Sequence, residues 1–340
     1  MKYLIGLFFI LVNVNTVNAI CVHEETTFGL NINAQLIGHD TYILNENNQF
    51  VNIEKIEIIP FQKYLVQYLK TSNEKKNFKR YNKKYLEYYR YSHVVDFIGK
   101  TKEQFKQINY ESTIVGKSIL GRDLFSITPV KFDPNKKTIV MFGRHHGDEG
   151  TANWIIEGFV SDFLNASSEY HEQFQLILYP MVNPDGAEAQ SRYNENNRDL
   201  NRSWSMDNSK TYDEAKIIHN NLRQFLKNPN QVIIGLDMHG SFTKDFIYRV
   251  EDNYVDRAFY DHQQEFIDQL GSYDIWQKGN YELSNGHPKM ARIVLINGYG
   301  LNALTHETPR DIKIKNKPGR SKESLKKQGS DIFNSLGSNY

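Results

Sequence analysis

Two side chains with the chemistry of zinc ligands, His146 and Glu149, stand three residues apart in the stretch Gly143-Arg144-His145-His146-Gly147-Asp148-Glu149. A His and a Glu so spaced on a surface turn are ordinarily just solvated, so the pair gains meaning only from company. His239, in Asp237-Met238-His239-Gly240, supplies a second nitrogen. Two imidazoles and one carboxylate leave a fourth position open to water, which a catalytic zinc needs and a structural zinc lacks. Cys21 is the only cysteine, so neither an internal disulfide nor a Cys-ligated zinc can form, and any metal must use His, Asp and Glu. His145 with Asp148 is a shifted alternative register. From spacing alone either register stands.

The elements that must position these groups can be read from hydrophobic pattern. Thr138–Phe142 is a short, continuous apolar and β-branched run ended by Gly143, which predicts a buried strand. Ile156, Val160 and Phe163 then recur at helical spacing, placing Glu149 near a helix start, where negative charge is favoured. Further strands are expected at Leu124–Thr128, Phe174–Tyr179 and Val232–Leu236, and helices at Ser92–Ile98 and along Ala215, Ile218, Leu222 and Phe225. Ile114–Leu124 reads as strand, glycine turn, strand. This alternation predicts an α/β fold: a mixed, mostly parallel twisted sheet flanked by helices, with a small N-terminal appendage. The candidate ligands all follow strands, and the carboxyl ends of strands are where such sheets bind ligands.

Composition narrows the classes. With 39% hydrophobic and 24% charged residues, and 41 Lys and Arg against 40 Asp and Glu, the chain is globular and has no electrostatic case for a nucleic-acid partner. Residues 1–19 open with Lys2, run apolar from Leu4 to Val12 and end in Val17-Asn18-Ala19, the pattern of a secretory signal peptide. That apolar core is too short to span a bilayer, so no stable membrane insertion is expected after its removal, and the protein should be secreted or periplasmic. Residues 20–90 read as an appendage or prosegment, with short strands suggested at Leu30–Ala34 and Ile56–Ile58 and a Lys-rich, Tyr-rich solvated stretch after them. Residues 91–340 are expected to form the main domain, ending in a Lys-rich tail from Lys313 that reads as solvated.

Five motifs, in order, resemble those of the zinc metallocarboxypeptidases over roughly 91–309: Gly116-Lys117-Ser118 with Gly121-Arg122, His146-Gly147-Asp148-Glu149, Asn183-Pro184-Asp185-Gly186 leading to Asp199-Leu200-Asn201-Arg202, Asp237-Met238-His239-Gly240, and Leu304-Thr305-His306-Glu307-Thr308. The resemblance implies one Zn2+ per chain on His146, Glu149 and His239. It implies that Glu307 is the general base and that Arg192 stabilises the oxyanion, since a water and an amide carbonyl need a proton acceptor and a fixed cation beside the metal. Asn201 and Arg202 would grip the terminal carboxylate of a peptide substrate, for which the planar guanidinium is suited. Asp199 would hydrogen-bond a ligand histidine and fix its tautomer. His306, beside the base, could tune it or simply pack.

Within the resemblance, Ala291-Arg292-Ile293-Val294-Leu295 is most similar to the branch that removes acidic C-terminal residues, with Arg292 as the pocket arginine; the alternative is a surface arginine on an edge strand. Tyr281 is the candidate for the tyrosine that covers the substrate, with Tyr299 as a second choice. The implied protein is an exported carboxypeptidase, expected to work as a monomer on peptides with a free C-terminal carboxylate, cell-wall stem peptides included. Two other functions are compatible with parts of the pattern: a zinc amidohydrolase of acylated amino acids, and an inactive relative that binds a peptide or glycan.

Overall fold

The computed structural model describes residues 34–37, 40–44, 50–52, 89–226, 232–241, 244–274, 276–309 and 320–337. The expected signal peptide, Cys21, the strand suggested at Ile56–Ile58, the Lys-rich and Tyr-rich stretch through Tyr88 and the first residues of the tail lie outside them. The chain divides into two compact units, Met1–Asn82 and Lys83–Tyr340. In the first, β1 (Ala34–Ile37), β2 (Asp40–Leu44) and β3 (Phe50–Asn52) pair antiparallel in the order of the chain.

The second unit begins with α1 (Tyr91–Gln107), followed by the hairpin of β4 (Tyr110–Lys117) and β5 (Asp123–Pro129). Gly121 turns between these strands with φ at 84°, a conformation that side chains with a Cβ rarely adopt. Then come β6 (Lys137–Gly143), α2 (Thr151–Leu164), α3 (Ser168–Gln173), β7 (Phe174–Tyr179) and the short α4 (Pro184–Ala189). Two 3-10 turns, at Leu200–Arg202 and Asn208–Lys210, precede α5 (Asp213–Leu222), β8 (Val232–Ser241), β9 (Phe246–Arg249) and α6 (Arg257–Tyr273). β10 (Tyr281–Leu283), α7 (Ala291–Tyr299), β11 (Ala303–Pro309) and α8 (Lys322–Gly337) complete it.

The sheet has eight strands in the order β10-β9-β11-β8-β6-β7-β5-β4. Its centre, β11-β8-β6-β7, is parallel, while β5 and β9 join it antiparallel. From β6 the chain moves to β7 on one side and later returns to β8 on the other, so the strand order reverses between β6 and β8. Crevices at such reversals open at the carboxyl ends of the strands and are the usual ligand sites of α/β sheets.

Alternation along β6 sends Ile139 and Met141 into a core with α2, α6 and α8, and Val140 and Phe142 into a core with α5, α7 and Trp204. Burial on both faces explains why the run is continuous rather than alternating. α2 is buried almost all round because α8 lies across it. A Cβ at Gly158 would stand 1.9 Å from the Lys326 carbonyl oxygen, and one at Gly329 would stand 2.0 Å from that of Ile155.

One expectation and one alternative are corrected here. The C-terminal region is not solvated throughout: α8 buries Leu325, Ile332 and Leu336 at 0% exposure, its lysines occupying the outer face of an amphipathic helix. Arg292 is on a helix, not an edge strand, because Ile293–Ile296 packs as an all-apolar turn under β8 and β11.

The contact between α2 and α8 gives a test remote from the donors. Gly158→Ala or Gly329→Ala should lower the unfolding free energy by about 2 kcal/mol or more through overpacking, read by thermal or denaturant unfolding. Unchanged stability would mean that the helices do not approach this closely.

Candidate metal centre and active site

Gly143 ends β6 where no side chain fits, since a Cβ there would meet the Pro180 carbonyl oxygen at 2.6 Å. The next residues form a tight loop before α2, and Gly147 lets that loop press against the start of α4, with a Cβ position only 2.0 Å from the Gly186 carbonyl carbon. Asn183 caps α4 by accepting from the Gly186 N–H at 2.8 Å and donates to the His145 carbonyl at 3.3 Å. Asp185 accepts from Ser118 Oγ at 2.8 Å, Leu120 N–H at 2.9 Å and Arg122 Nη1 at 2.8 Å. The first and third motifs therefore meet, and their work is to buttress the loop that carries the donors.

That loop brings His146 and Glu149 to His239, near the end of β8. His146 Nδ1 lies 2.9 Å from Glu149 Oε1, His239 Nδ1 lies 2.8 Å from Glu149 Oε2, and the two Nδ1 atoms are 3.1 Å apart. These separations approach the roughly 3.3 Å edge of a tetrahedron whose bonds are roughly 2.0–2.1 Å long. Both Nε2 atoms face carboxylates, His146 at 3.1 Å from Asp199 Oδ1 and His239 at 3.0 Å from Asp237 Oδ2. A proton on each Nε2 leaves both Nδ1 lone pairs and the Glu149 carboxylate aimed at one point, which is the arrangement a divalent cation fits.

His145 has a different task. Trp204 Nε1–H can only donate, and it donates to His145 Nε2 at 3.0 Å, so the ring's proton sits on Nδ1 and goes to Asp237 Oδ1 at 2.6 Å. His145, Asp237 and His239 also cluster closely enough to suggest a metal site. With the His145 proton so fixed and His239 turned to Asp237 by Nε2, this group braces the donors instead. Burial would raise the Asp237 carboxyl, but the His145 and His239 rings on its two oxygens hold it far below the usual carboxylate range.

Glu307 and His239 are register partners in adjacent parallel strands, so both side chains leave the same face of the sheet at neighbouring positions. Burial raises the Glu307 carboxyl to about 7; the His239 and His146 rings pull it down while the Glu149 and Asp237 carboxylates push it up. A carboxyl near 7 suits a general base at neutral pH. His306, on the opposite face, is fully buried, with Nε2 3.3 Å from Gln277 Nε2, and burial lowers it to about 4. It packs as a neutral ring.

Arg192 reaches over the same point, with Nη1 3.2 Å from His146 Nδ1, while Nε and Nη2 both donate to Asp199 Oδ2 at 3.1 and 2.8 Å. Its side chain is 37% exposed. An ion pair this exposed holds by about 1 kcal/mol or less, so the guanidinium is free to turn toward a developing oxyanion. Asn201 is sequestered: at 1% exposure, Nδ2 donates to Asp237 Oδ2 at 3.0 Å and Oδ1 accepts from the Ala291 N–H at 2.9 Å. Its carboxamide ties the 3-10 turn to β8 and α7. Arg202 is half-buried, with Nη1 donating to the Asn201 carbonyl at 2.8 Å.

Arg292 is 1% exposed, with Nη1 and Nη2 both donating to the Ser284 carbonyl at 3.1 Å and Nε unpartnered among the described residues. Burial lowers it to about 10, and the Asp237 and Glu307 carboxylates, both within electrostatic reach, help keep it charged.

Tyr281 does not stand over Glu307. It pairs with Ile247 in β10 and β9 and so projects to the opposite face, where its ring lies 5.5 Å from the Arg249 guanidinium. Tyr299 bonds His219 Nε2 at 3.0 Å, in the core beside Trp204. The tyrosine on the face of Glu307 is Tyr248, which pairs with Thr305; burial and then the Glu282 and Glu307 carboxylates raise its hydroxyl. Sequence reasoning missed Tyr248, Trp204 and Arg144. Trp204, two residues past Arg202, could have been found by asking which polar atom fixes the tautomer of His145.

A sequence model of the Succinylglutamate desuccinylase/Aspartoacylase catalytic domain matches residues 135–272, which hold all three donors, Arg192 and Asp199–Arg202. The chain is 27% identical over 135 residues to human cytosolic carboxypeptidase 2, covering 38% of this chain and 15% of that protein. With the mouse protein it shares 26% over 205 residues, covering 52% of this chain and 23% of the relative, so the chain spans less than a quarter of these relatives. Among solved structures, a metallo-carboxypeptidase from Burkholderia cenocepacia superposes with a TM-score of 0.61 at 17% identity, covering 72% of this chain and 67% of that one. One from Pseudomonas aeruginosa, in complex with (2-guanidinoethylmercapto)succinic acid, gives 0.58 at 21%, covering 72% and 67%. Carboxypeptidase A from Helicoverpa armigera gives 0.56 at 15%, covering 83% and 80%. These likenesses show that the second unit has a metallocarboxypeptidase-like fold, with the three donors converging where its strand order reverses.

Proposed function

We propose that this protein is an exported zinc carboxypeptidase that removes one residue from the C-terminus of a peptide, with a preference for a terminal residue bearing a carboxylate. The observation that carries the reading is the register of Glu307 against His239, which stations a carboxyl of pKa about 7 beside the point at which three donors converge. A zinc ion bound by His146, Glu149 and His239 would polarise the scissile carbonyl and acidify a water.

The chain's own groups account for the remaining steps. Glu307 takes a proton from the attacking water and returns it to the leaving amine nitrogen. Arg192, released from its half-exposed pair with Asp199, stabilises the oxyanion. Arg202 holds the terminal carboxylate; Asn201 contributes by fixing the turn that bears Arg202, since its own amide is committed to Asp237 and Ala291. Arg292 supports the acidic preference, being a buried cation whose fork meets one carbonyl, that of Ser284, among the described residues. Export rests on the apolar run Leu4–Val12 and on Val17-Asn18-Ala19, and with it cell-wall stem peptides become candidate substrates.

A second reading, hydrolysis of small N-acylated amino acids, is favoured by the match to the Succinylglutamate desuccinylase/Aspartoacylase domain. Both chemistries need the same donors and the same base, and they differ in what lies beyond the scissile amide.

The deciding experiment is mass spectrometry after the zinc-loaded protein meets peptides ending in Glu, diaminopimelate, Lys and Phe, beside N-acetylaspartate and N-succinylglutamate. Loss of one terminal residue, abolished in Glu307→Gln, is expected. Cleavage of the acylated amino acids alone would replace the peptidase reading with the second. Arg292→Leu should reduce cleavage of the Glu and diaminopimelate peptides at least tenfold more than that of the Phe peptide, and equal losses would remove Arg292 as the selector.

Glu307 also predicts a pH signature in the metal-free protein. Its folded pKa of about 7 lies above the ordinary 4.5, so the stability of the parent is favoured below pH 4.5 and is lost as pH rises through 7. Glu307→Gln should therefore be more stable than the parent at pH 8, by on the order of 1 to 3 kcal/mol, and lose that advantage by pH 4. Urea unfolding at both pH values reads it; a variant less stable at pH 8 would contradict the burial of an ionisable base.

A further inference from the structure

Arg144 stands between the end of β6 and the first donor, yet nothing in the reaction as described uses it. It is fully buried and holds φ at 64°, in the left-handed region, which costs energy for a residue with a Cβ. That backbone turn folds the side chain back over its own loop. Nε and Nη2 both donate to the Gly147 carbonyl, at 3.1 and 2.6 Å, and Nη1 donates to Asn153 Oδ1 at 3.2 Å. Asn153 in turn donates to the Pro180 carbonyl at 2.7 Å, and the Arg144 carbonyl accepts from Asn183 N–H at 3.0 Å.

Gly147 lies between His146 and Glu149, so a guanidinium on its carbonyl closes a bracket around the two donors. It ties them to the first turn of α2 and, through Asn153 and Asn183, to the strand end at Pro180 and the cap of α4. Two N–H groups on one carbonyl need the planar guanidinium; a lysine ammonium cannot reproduce the fork together with the bond to Asn153.

We propose that Arg144 is a positioning residue for the metal centre: its bracket on the Gly147 carbonyl sets the spacing between His146 and Glu149 and so determines metal affinity and coordination geometry. This rests on the reading of His146, Glu149 and His239 as the donors. A merely structural role would alter folding stability and leave the metal's environment as it is in the parent.

Arg144→Gly and Arg144→Lys separate the two. Glycine keeps the left-handed backbone and deletes the bracket, while lysine keeps the charge and loses the fork. The measurements are Zn2+ affinity by chelator competition, the visible spectrum of the Co2+-loaded protein, and thermal unfolding of the metal-free form. Both variants should bind Zn2+ at least tenfold more weakly than the parent, within the range typical when groups that orient metal ligands are removed, and should show altered Co2+ bands. Affinity within twofold of the parent and an unchanged Co2+ spectrum would overturn the proposal. If neither variant folds, Asn153→Ala decides: it frees Nη1 while leaving the Gly147 bonds, and a threefold or greater loss of Zn2+ affinity is expected, an unchanged affinity overturning the bracket. A parent that binds no Zn2+ would instead refute the donor assignment on which the proposal stands.

Discussion

The buried carboxylate of Asp237 is the interaction on which the centre depends. One oxygen takes the His145 proton and the other takes His239 and Asn201. An uncompensated charge at 2% exposure would cost several kcal/mol, and breaking such a pair by removing one partner typically costs about 3–5 kcal/mol. Asp237 is stable where it is only because three groups converge on it. Each of those groups is thereby held: His239 with its Nδ1 facing the donors, His145 as a spacer under Trp204, and Asn201 as the link to α7. A local polar network thus converts a strand end into a rigid mount.

The sheet supplies what the network cannot. Parallel pairing of β8 with β11 puts His239 and Glu307 side by side without any loop between them, and the reversal of strand order between β6 and β8 opens the crevice into which His146 and Glu149 descend. Residues on rigid strands hold their spacing better than residues on loops, and the one donor pair that does sit on a loop is the pair that Asn183, Gly147 and Arg144 restrain. The groups proposed to meet substrate, Arg192 and Arg202, are the more exposed ones, and they belong to the segment after α4.

Much of this was legible in the sequence. Thr138–Phe142, Phe174–Tyr179 and Val232–Leu236 announce buried strands by composition alone, and donors that immediately follow apolar runs must cluster at one edge of the sheet. The sequence was less informative wherever the answer depended on a face or a fold-back. Position before Glu307 pointed to Tyr281, with Tyr299 as the second choice, but strand pairing decides which side a ring occupies, and pairing is not local. Ile293–Ile296 is apolar enough for strand or helix, and only packing beneath β8 and β11 selects the helix. The lysines around Leu325 and Ile332 masked a helical stripe whose buried side became evident only against α2. Arg144 looked like one more polar residue in a glycine-rich turn, because nothing in its type reveals a side chain that folds back on its own loop.

The spacing of the donors along the chain also governs when the centre can exist. His146 and Glu149 are near neighbours, but His239 lies 93 positions from His146, and the strand bearing Glu307 is sequestered between β8 and β9. Such distant pairings in parallel strands form slowly, because chain closure must precede any gain from contact. A metal ion therefore cannot nucleate this domain as it does a zinc finger, where the ligands are local and binding drives folding. A cation taken up by the proposed donors would arrive at a sheet already assembled, so its uptake during refolding would be a clock for completion of the central strands.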